Sequence, residues 1–255
     1  MAKHKNSWTE ERIKKKIKEG KGTGEGINYK PWLTIQDFPS KGLVTRTVGW
    51  KTNRIHHFFS KLERDYFYLC EWDEKIIDIR EQFPLHREDT LKIASDKNIK
   101  HPLCPINQIP IVMTTDFILT VNTSKGIKTF ARTIKPSKEL DNNRIIEKFE
   151  IERFYWKQRG VDWGIVTEKE ISKQLVTNIE WVYSAFFLYE ELSSSSYQSL
   201  LSELKILIQN DQKTLIEIFT NMDIDWSLER GTALYLFKHL IANQEIIINM
   251  EQPKS

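Results

Sequence analysis

The sequence predicts an α/β domain followed by a small, mainly helical, winged-helix-like domain. Three observations carry this. Helical and strand-like stretches alternate through the first two thirds as helix, strand, helix, hairpin, helix, strand, the pattern of a sheet with helices laid against it. Two β-rich runs, Asp116 to Val121 and Ile127 to Lys135, flank the turn-forming cluster Asn122-Thr123-Ser124-Lys125-Gly126 and read as a hairpin. Beyond about residue 170 the chain turns apolar and helical. The boundary is therefore expected between residues 169 and 170, giving domains 1–169 and 170–255.

Taken in order, Ser7-Trp8-Thr9-Glu10 has the form of a capping box, so a helix is expected from near Trp8 to Gly20. Gly20, Gly22, Gly24 and Gly26 then alternate; without the spacing of a phosphate-binding loop they read as a flexible connector, near a nucleic-acid backbone at most. Tyr29 to Pro39 reads as extended chain. His56 and His57 are adjacent and point to opposite sides of a strand, which excludes a two-histidine metal site. Ser60 and Glu63 form a second capping box, and Leu62, Tyr66 and Leu69 continue its helix. Ile76 to Leu85 reads as a strand closed by Pro84, and residues 86–110 as a polar helix and a proline-rich loop.

After the hairpin a helix is expected from about Asn142 to Gln158, stopped by Gly160. Asp162 to Thr167 reads as one more strand. The second domain should contain helices over Val176–Leu188, 197–209, 212–222 and 227–242, with a break at Ser193–Ser196 and a short strand over Glu245–Met250. The last helix presents Ala233, Phe237, Leu240 and Ile241 on one face. Its basic set, Arg230, Lys238 and His239, is thin, which favours protein docking over DNA reading.

Composition narrows the class. The 255 residues are 40% hydrophobic and 29% charged, with a net charge of +3, enough for a real core without a strongly basic surface. The charge is uneven: residues 1–30 carry nine Lys/Arg against four Glu. Lys14, Lys15, Lys16 and Lys18 suit phosphate contact, and equally a solvated helix face. Two distant cysteines, Cys70 and Cys104, indicate neither a disulfide framework nor a zinc site. No run approaches a membrane span and the start lacks a signal-peptide core, so a reducing, cytoplasmic setting is expected.

The chemistry-bearing pattern lies in the hairpin. A loop centred on Ser124-Lys125 or Lys125-Gly126 sets Asp116 opposite Thr133 or Lys135. An acid and a lysine on one patch of sheet suit metal-dependent phosphodiester hydrolysis, and equally a plain cross-strand ion pair. In the following helix Ile145, Phe149, Glu152 and Trp156 fall on one narrow stripe. Glu152 within it needs a lysine, an arginine or a metal as partner, or an edge position that reaches solvent. Glu63 has two readings as well, a functional acid or the third residue of its capping box.

Several stretches together resemble the TnsA family, the endonuclease subunits of heteromeric transposases: Lys30-Pro31-Trp32-Leu33-Thr34, His56-His57 through Leu62-Glu63, Asp78 to Leu85, Thr115-Asp116-Phe117, Ile134-Lys135-Pro136 and Glu147 to Trp156. The similarity runs in order from residue 1 to about 185 and more weakly beyond. It implies a restriction-endonuclease-like catalytic domain with a mixed sheet flanked by helices, followed by the winged-helix-like domain. By resemblance Glu63 and Asp116 are metal-binding acids, Lys135 the catalytic lysine and Glu152 a further acidic position. Either the backbone carbonyl of Ile134, waters and the remaining acids would complete the metal shell, or metal affinity is reduced, with Thr133 and Gln82 as supporting positions. The position two before the lysine is commonly acidic or Gln in this superfamily; here it is Thr133, a poor Mg²⁺ ligand. Thr115 before Asp116, where proline is usual, is expected to be harmless to metal ligation.

The resemblance implies one or two Mg²⁺ ions, with Mn²⁺ as a substitute, and cutting at the 5′ ends of a mobile element. The implied partners are DNA at the element ends, a TnsB-like transposase subunit and a TnsC-like ATP-binding regulator. Two rival readings are a catalytically silent adaptor and a free-standing restriction-type nuclease.

Overall fold

A computed structural model describes residues 7–37, 45–188, 195–210 and 212–253, and divides the chain into two units, Met1–Ile171 and Ser172–Ser255. The first holds helices α1 (Glu10–Lys18), α2 (Lys61–Trp72), α3 (Arg87–Asp96) and α4 (Asn143–Gln158). Its strands are β1 (Thr45–Val48), β2 (Ile55–Phe58), β3 (Ile76–Pro84), β4 (Thr114–Thr123), β5 (Gly126–Ile134) and β6 (Asp162–Val166). Strands β1 and β2 form an antiparallel pair; β3-β4-β5-β6 form a sheet in that order. The pairings β3–β4 and β4–β5 are antiparallel and β5–β6 is parallel, so the sheet is mixed.

The two sides of the sheet differ in packing. Phe117 meets Tyr66 of α2 edge-on and stacks near Phe58 of β2. Its neighbour Ile118 joins Ala131, Leu85, Ile93, Ile151 and Trp156 in the core against α3 and α4. Alternation along β4 thus supplies both faces. Each fully buried side chain of this size contributes about 1.5–3 kcal/mol.

The start of α1 differs from the sequence expectation. The N-cap is Thr9, whose hydroxyl accepts the Arg12 N–H, in place of Ser7. The glycine run is a built turn and not a flexible connector. Gly22 and Gly24 have φ of +81° and +90°; a Cβ on Gly22 would lie 2.1 Å from Pro84 Cγ, and one on Gly24 2.4 Å from the Asn28 carbonyl oxygen. The turn delivers the chain to β3, where Tyr29 donates its hydroxyl to the Glu81 carbonyl and the Trp32 N–H bonds the Gln82 carbonyl at 3.2 Å. Of the expected extended stretch, Phe38 and Pro39 lie outside the described residues.

Lys16 also departs from expectation. It is buried, with its ammonium 2.8 Å from the Trp32 carbonyl and 2.9 Å from Asp37, so it ties α1 to the chain beneath and does not face a phosphate. Lys14, Lys15 and Lys18 are exposed.

The second unit contains α5 (Lys173–Tyr183), α6 (Ser195–Asn210), α7 (Leu215–Asp225) and α8 (Thr232–Ala242). Helix α5 stops short of Leu188, and α6 already includes Ser195 and Ser196; Ser193 and Ser194 lie outside the described residues. Asp223 caps α8 by accepting the Gly231 and Ala233 N–H groups. The strand expected over Glu245–Met250 is not formed. No neighbouring strand among the described residues offers it a ladder, and the Asn178 side-chain amide takes the Met250 and Gln252 carbonyls instead. The unit is therefore four helices without a β wing among the described residues. Lys238 lies over the Trp181 ring and His239 bonds the Ala185 carbonyl, so most of the thin basic set of α8 is engaged internally. Among the described residues, no helix is long and apolar enough to cross a membrane.

Candidate active site

Strand β4 brings the first acid. The two-residue loop Ser124-Lys125 fixes the β4–β5 register at Phe117 opposite Arg132, which sets Asp116 level with Thr133. The ladder ends there. Asp116 Oδ2 itself accepts the Ile134 N–H at 2.7 Å, and Oδ1 accepts the Gln82 amide at 3.2 Å. Gln82 sits in β3 with φ of +50°, a left-handed conformation that costs roughly 1 kcal/mol outside glycine. Its amide oxygen accepts the Thr114 hydroxyl, so both ends of the side chain are fixed.

Helix α2 brings the second acid. Ser60 is its N-cap and accepts the Glu63 N–H, while the Glu63 carboxylate takes the Ser60 hydroxyl and the Phe59 N–H. The capping role and the site position therefore coexist in one residue, with the cap fixing where the carboxylate points. Glu63 is buried, and burial together with the nearby Asp116 charge holds its pKa well above the carboxylate range. Asp116 is raised too, chiefly by burial, against the pull of the Ile134 N–H, Gln82 and Lys135. A buried carboxylate whose ionisation is disfavoured by a second one beside it marks a site short of positive charge.

Helix α4 brings the third acid. Glu152 is buried, and its Oε1 accepts the hydroxyls of Thr115 and Thr133, each at 2.6 Å. The indole N–H of Trp156 donates to Thr115 Oγ1 at 2.8 Å, and that of Trp163 to Thr133 Oγ1 at 3.1 Å. The hydrogen-bond partners of the buried acid are thus a pair of threonines, and its burial rules out the solvent-reaching edge position. Thr115 has a role the sequence reading did not give it: its hydroxyl holds Glu152. Burial pushes Glu152 up to about 7 against those hydrogen bonds.

Lys135 follows β5 and pairs with Glu139 at 2.9 Å. Glu63, Asp116, Lys135 and Glu152 line one cleft of about 300 Å³, with Thr133, Ile134, Ile145, Lys148 and Phe149 among its walls. Ile145 and Phe149, expected in the core stripe, line this cleft while Trp156 is in the core. Gln82 reaches it through Asp116. Lys148 was not singled out by its sequence pattern; its i, i+4 spacing to Glu152 was the available signal. Among the described residues, no three His, Cys, Asp or Glu side chains gather closely enough to hold a metal unaided. Glu63 and Asp116 are the carboxylates that could share one.

The N-terminal and C-terminal parts match two family models: "TnsA-like endonuclease N terminal" over residues 73–168 and "TnsA endonuclease C terminal" over 170–250. The chain is also 40% identical over 250 residues to the Transposon Tn7 transposition protein TnsA of Escherichia coli, covering 98% of this chain and 90% of that protein. The chain belongs to the TnsA family. In this TnsA-family chain, Asp116, Lys135 and Glu152 fall inside the N-terminal match, whereas Glu63 precedes it. The family is one of endonucleases, which agrees with a cleft that gathers three acids and two lysines.

Proposed function

We propose that this chain is the Mg²⁺-dependent nuclease subunit of a transposase and cuts the 5′-end strands of a mobile element. The observation that carries the reading is the convergence of Glu63, Asp116, Lys135 and Glu152, from four separate elements, on one cleft. Glu63 and Asp116, with the Ile134 carbonyl, would hold one or two Mg²⁺, or Mn²⁺ in its place. A donor set of one or two carboxylates completed by water and phosphate oxygens suits a small hard cation. When bound, the ion polarises the phosphodiester and lowers the pKa of a water.

The protein's own groups do the rest. Lys135 releases Glu139 and turns its ammonium to the attacking water and the phosphate oxygen that gains charge. Gln82 and the Ile134 N–H hold Asp116 in one orientation before substrate arrives. Thr115 and Thr133 fix Glu152 at the back of the cleft.

By kinship with the Tn7 protein, the working assembly includes a TnsB-like subunit that cuts and joins the 3′ ends and a TnsC-like ATP-binding regulator, in the cytoplasm. The helical second unit would serve mainly for docking. A second reading, an adaptor without catalysis, draws on Thr133, whose hydroxyl is committed to Glu152 and supplies no metal ligand.

Strand-resolved cleavage of element-end DNA separates the readings. With the cognate transposase and Mg²⁺, the chain should produce 5′-strand cuts that vanish with chelator. An active complex that processes 3′ ends but yields no 5′ cut supports the adaptor, and cutting by the isolated chain supports a free-standing nuclease.

A further inference from the structure

Lys148 stands on α4 one turn before Glu152 and lines the same cleft as Glu63, Asp116 and Lys135. Residues four apart on a helix are surface neighbours, so its ammonium and the Glu152 carboxylate look onto one region. The neighbouring cations have anionic partners. Lys135 meets Glu139 at 2.9 Å, and Arg144 meets Glu147 at 2.7 Å. Among the described residues Lys148 has no carboxylate, carbonyl or ring partner.

Burial and its cationic neighbours disfavour its charge. It is half-buried, and burial, Arg144 and Lys135 together hold its pKa below the usual lysine value. Ile145 and Phe149 form the apolar part of the wall. A protein gains nothing in its free state from an unpaired ammonium in such a place. The cost is recovered when an anion enters, and in a nuclease cleft that anion is the backbone of the DNA strand.

We infer that Lys148 is a DNA-binding residue whose ammonium takes a non-bridging oxygen of a backbone phosphate, holding the strand against α4 while the scissile bond meets Asp116 and Lys135. The inference rests on the nuclease reading above and adds a substrate contact to it. Arg144 and Lys135 are engaged by glutamates before DNA arrives, so Lys148 is the cation of this wall that is ready for a phosphate. Its contact is to the backbone, so it should act alike on all sequences.

The test uses the full chain with its cognate transposase and an element-end duplex, comparing wild type, Lys148→Gln and Lys148→Arg. Binding is measured by anisotropy across a KCl series with Ca²⁺ in place of Mg²⁺, and 5′-strand cutting by steady-state kinetics with Mg²⁺. Loss of one phosphate contact should lower the slope of log K against log salt by about one. KM should rise about tenfold with kcat within about threefold, and Lys148→Arg should restore both slope and KM. A Lys148→Gln protein with the wild-type slope and KM overturns the inference. So does one that loses kcat alone, because Lys148 would then act on chemistry. Failure of wild type itself to cut would sink the nuclease reading, while the slope comparison would still decide the phosphate contact.

Discussion

Replacing Thr133 by valine removes one hydroxyl from the buried Glu152 at nearly constant volume. Two losses follow. A hydrogen bond to a charged acceptor contributes about 2 kcal/mol, and the Trp163 N–H, left facing a methyl group, costs about 1 kcal/mol more. The total of about 3 kcal/mol corresponds to a fall in Tm of about 6–12 °C for a unit of this size. The penalty should depend on pH. Glu152 is pushed up to about 7, so at pH 8 its carboxylate is charged and the lost bond is the stronger kind; at pH 5.5 it is neutral and the bond contributes about 1 kcal/mol. Calorimetric unfolding of chelated protein at both pH values measures this. Thr133→Ser, which keeps the hydroxyl, serves as the control. A Thr133→Val protein as stable as wild type at pH 8, or with the same penalty at both pH values, would refute the assignment of Thr133 as a support of ionised Glu152.

Two other perturbations probe the site and its surroundings. Gln82→Gly releases about 1 kcal/mol of left-handed strain, which roughly offsets the greater unfolded-state freedom of glycine, but it removes the hydrogen bonds to Asp116 and from Thr114, a loss of about 3 kcal/mol, and frees Asp116. Tm should therefore fall by about 6–12 °C while the Mg²⁺ needed for half-maximal cutting by the folded protein rises about five- to tenfold; an unchanged Mg²⁺ titration counts against Gln82 as a positioning residue. Glu71 is buried on α2 with Oε1 lacking a hydrogen-bond partner, and burial raises it to about 7. The folded protein holds that proton between pH 4.5 and 7 where the unfolded chain releases it, so stability falls as pH rises through that window, by up to about 3 kcal/mol. Glu71→Gln should flatten this decline in urea unfolding between pH 5 and 7.5, and parallel profiles for mutant and wild type would contradict it.

Elements whose signals are local were legible in the sequence. The hairpin turn narrowed the register to two, and the structure takes the one that sets Asp116 level with Thr133. Capping and glycine stop signals placed α2 and α4. Pairings set by distant parts of the chain were not legible. The β1–β2 pair has no local signature at β1, and the threonine partners of Glu152 lie 37 and 19 residues away from it. Lys16 looked like its exposed neighbours until Trp32 and Asp37 closed over it. The apolar run at Glu245–Met250 has β propensity but no partner strand among the described residues, and the Asn178 amide took its place. Family resemblance was needed to choose between the two readings of Glu63, because its spacing satisfies a helix cap and a functional acid alike.

On the proposed function, the phosphodiester bond is cut in the cleft around Asp116. Asp116→Ala tests it most directly in the complete complex, with 5′-strand and 3′-strand products resolved on the same element-end DNA. Cutting of the 5′ strand should fall at least about a thousandfold while 3′ processing and complex assembly persist. If Asp116→Ala cuts the 5′ strand as wild type does, the chemistry lies elsewhere and this cleft is not the active site.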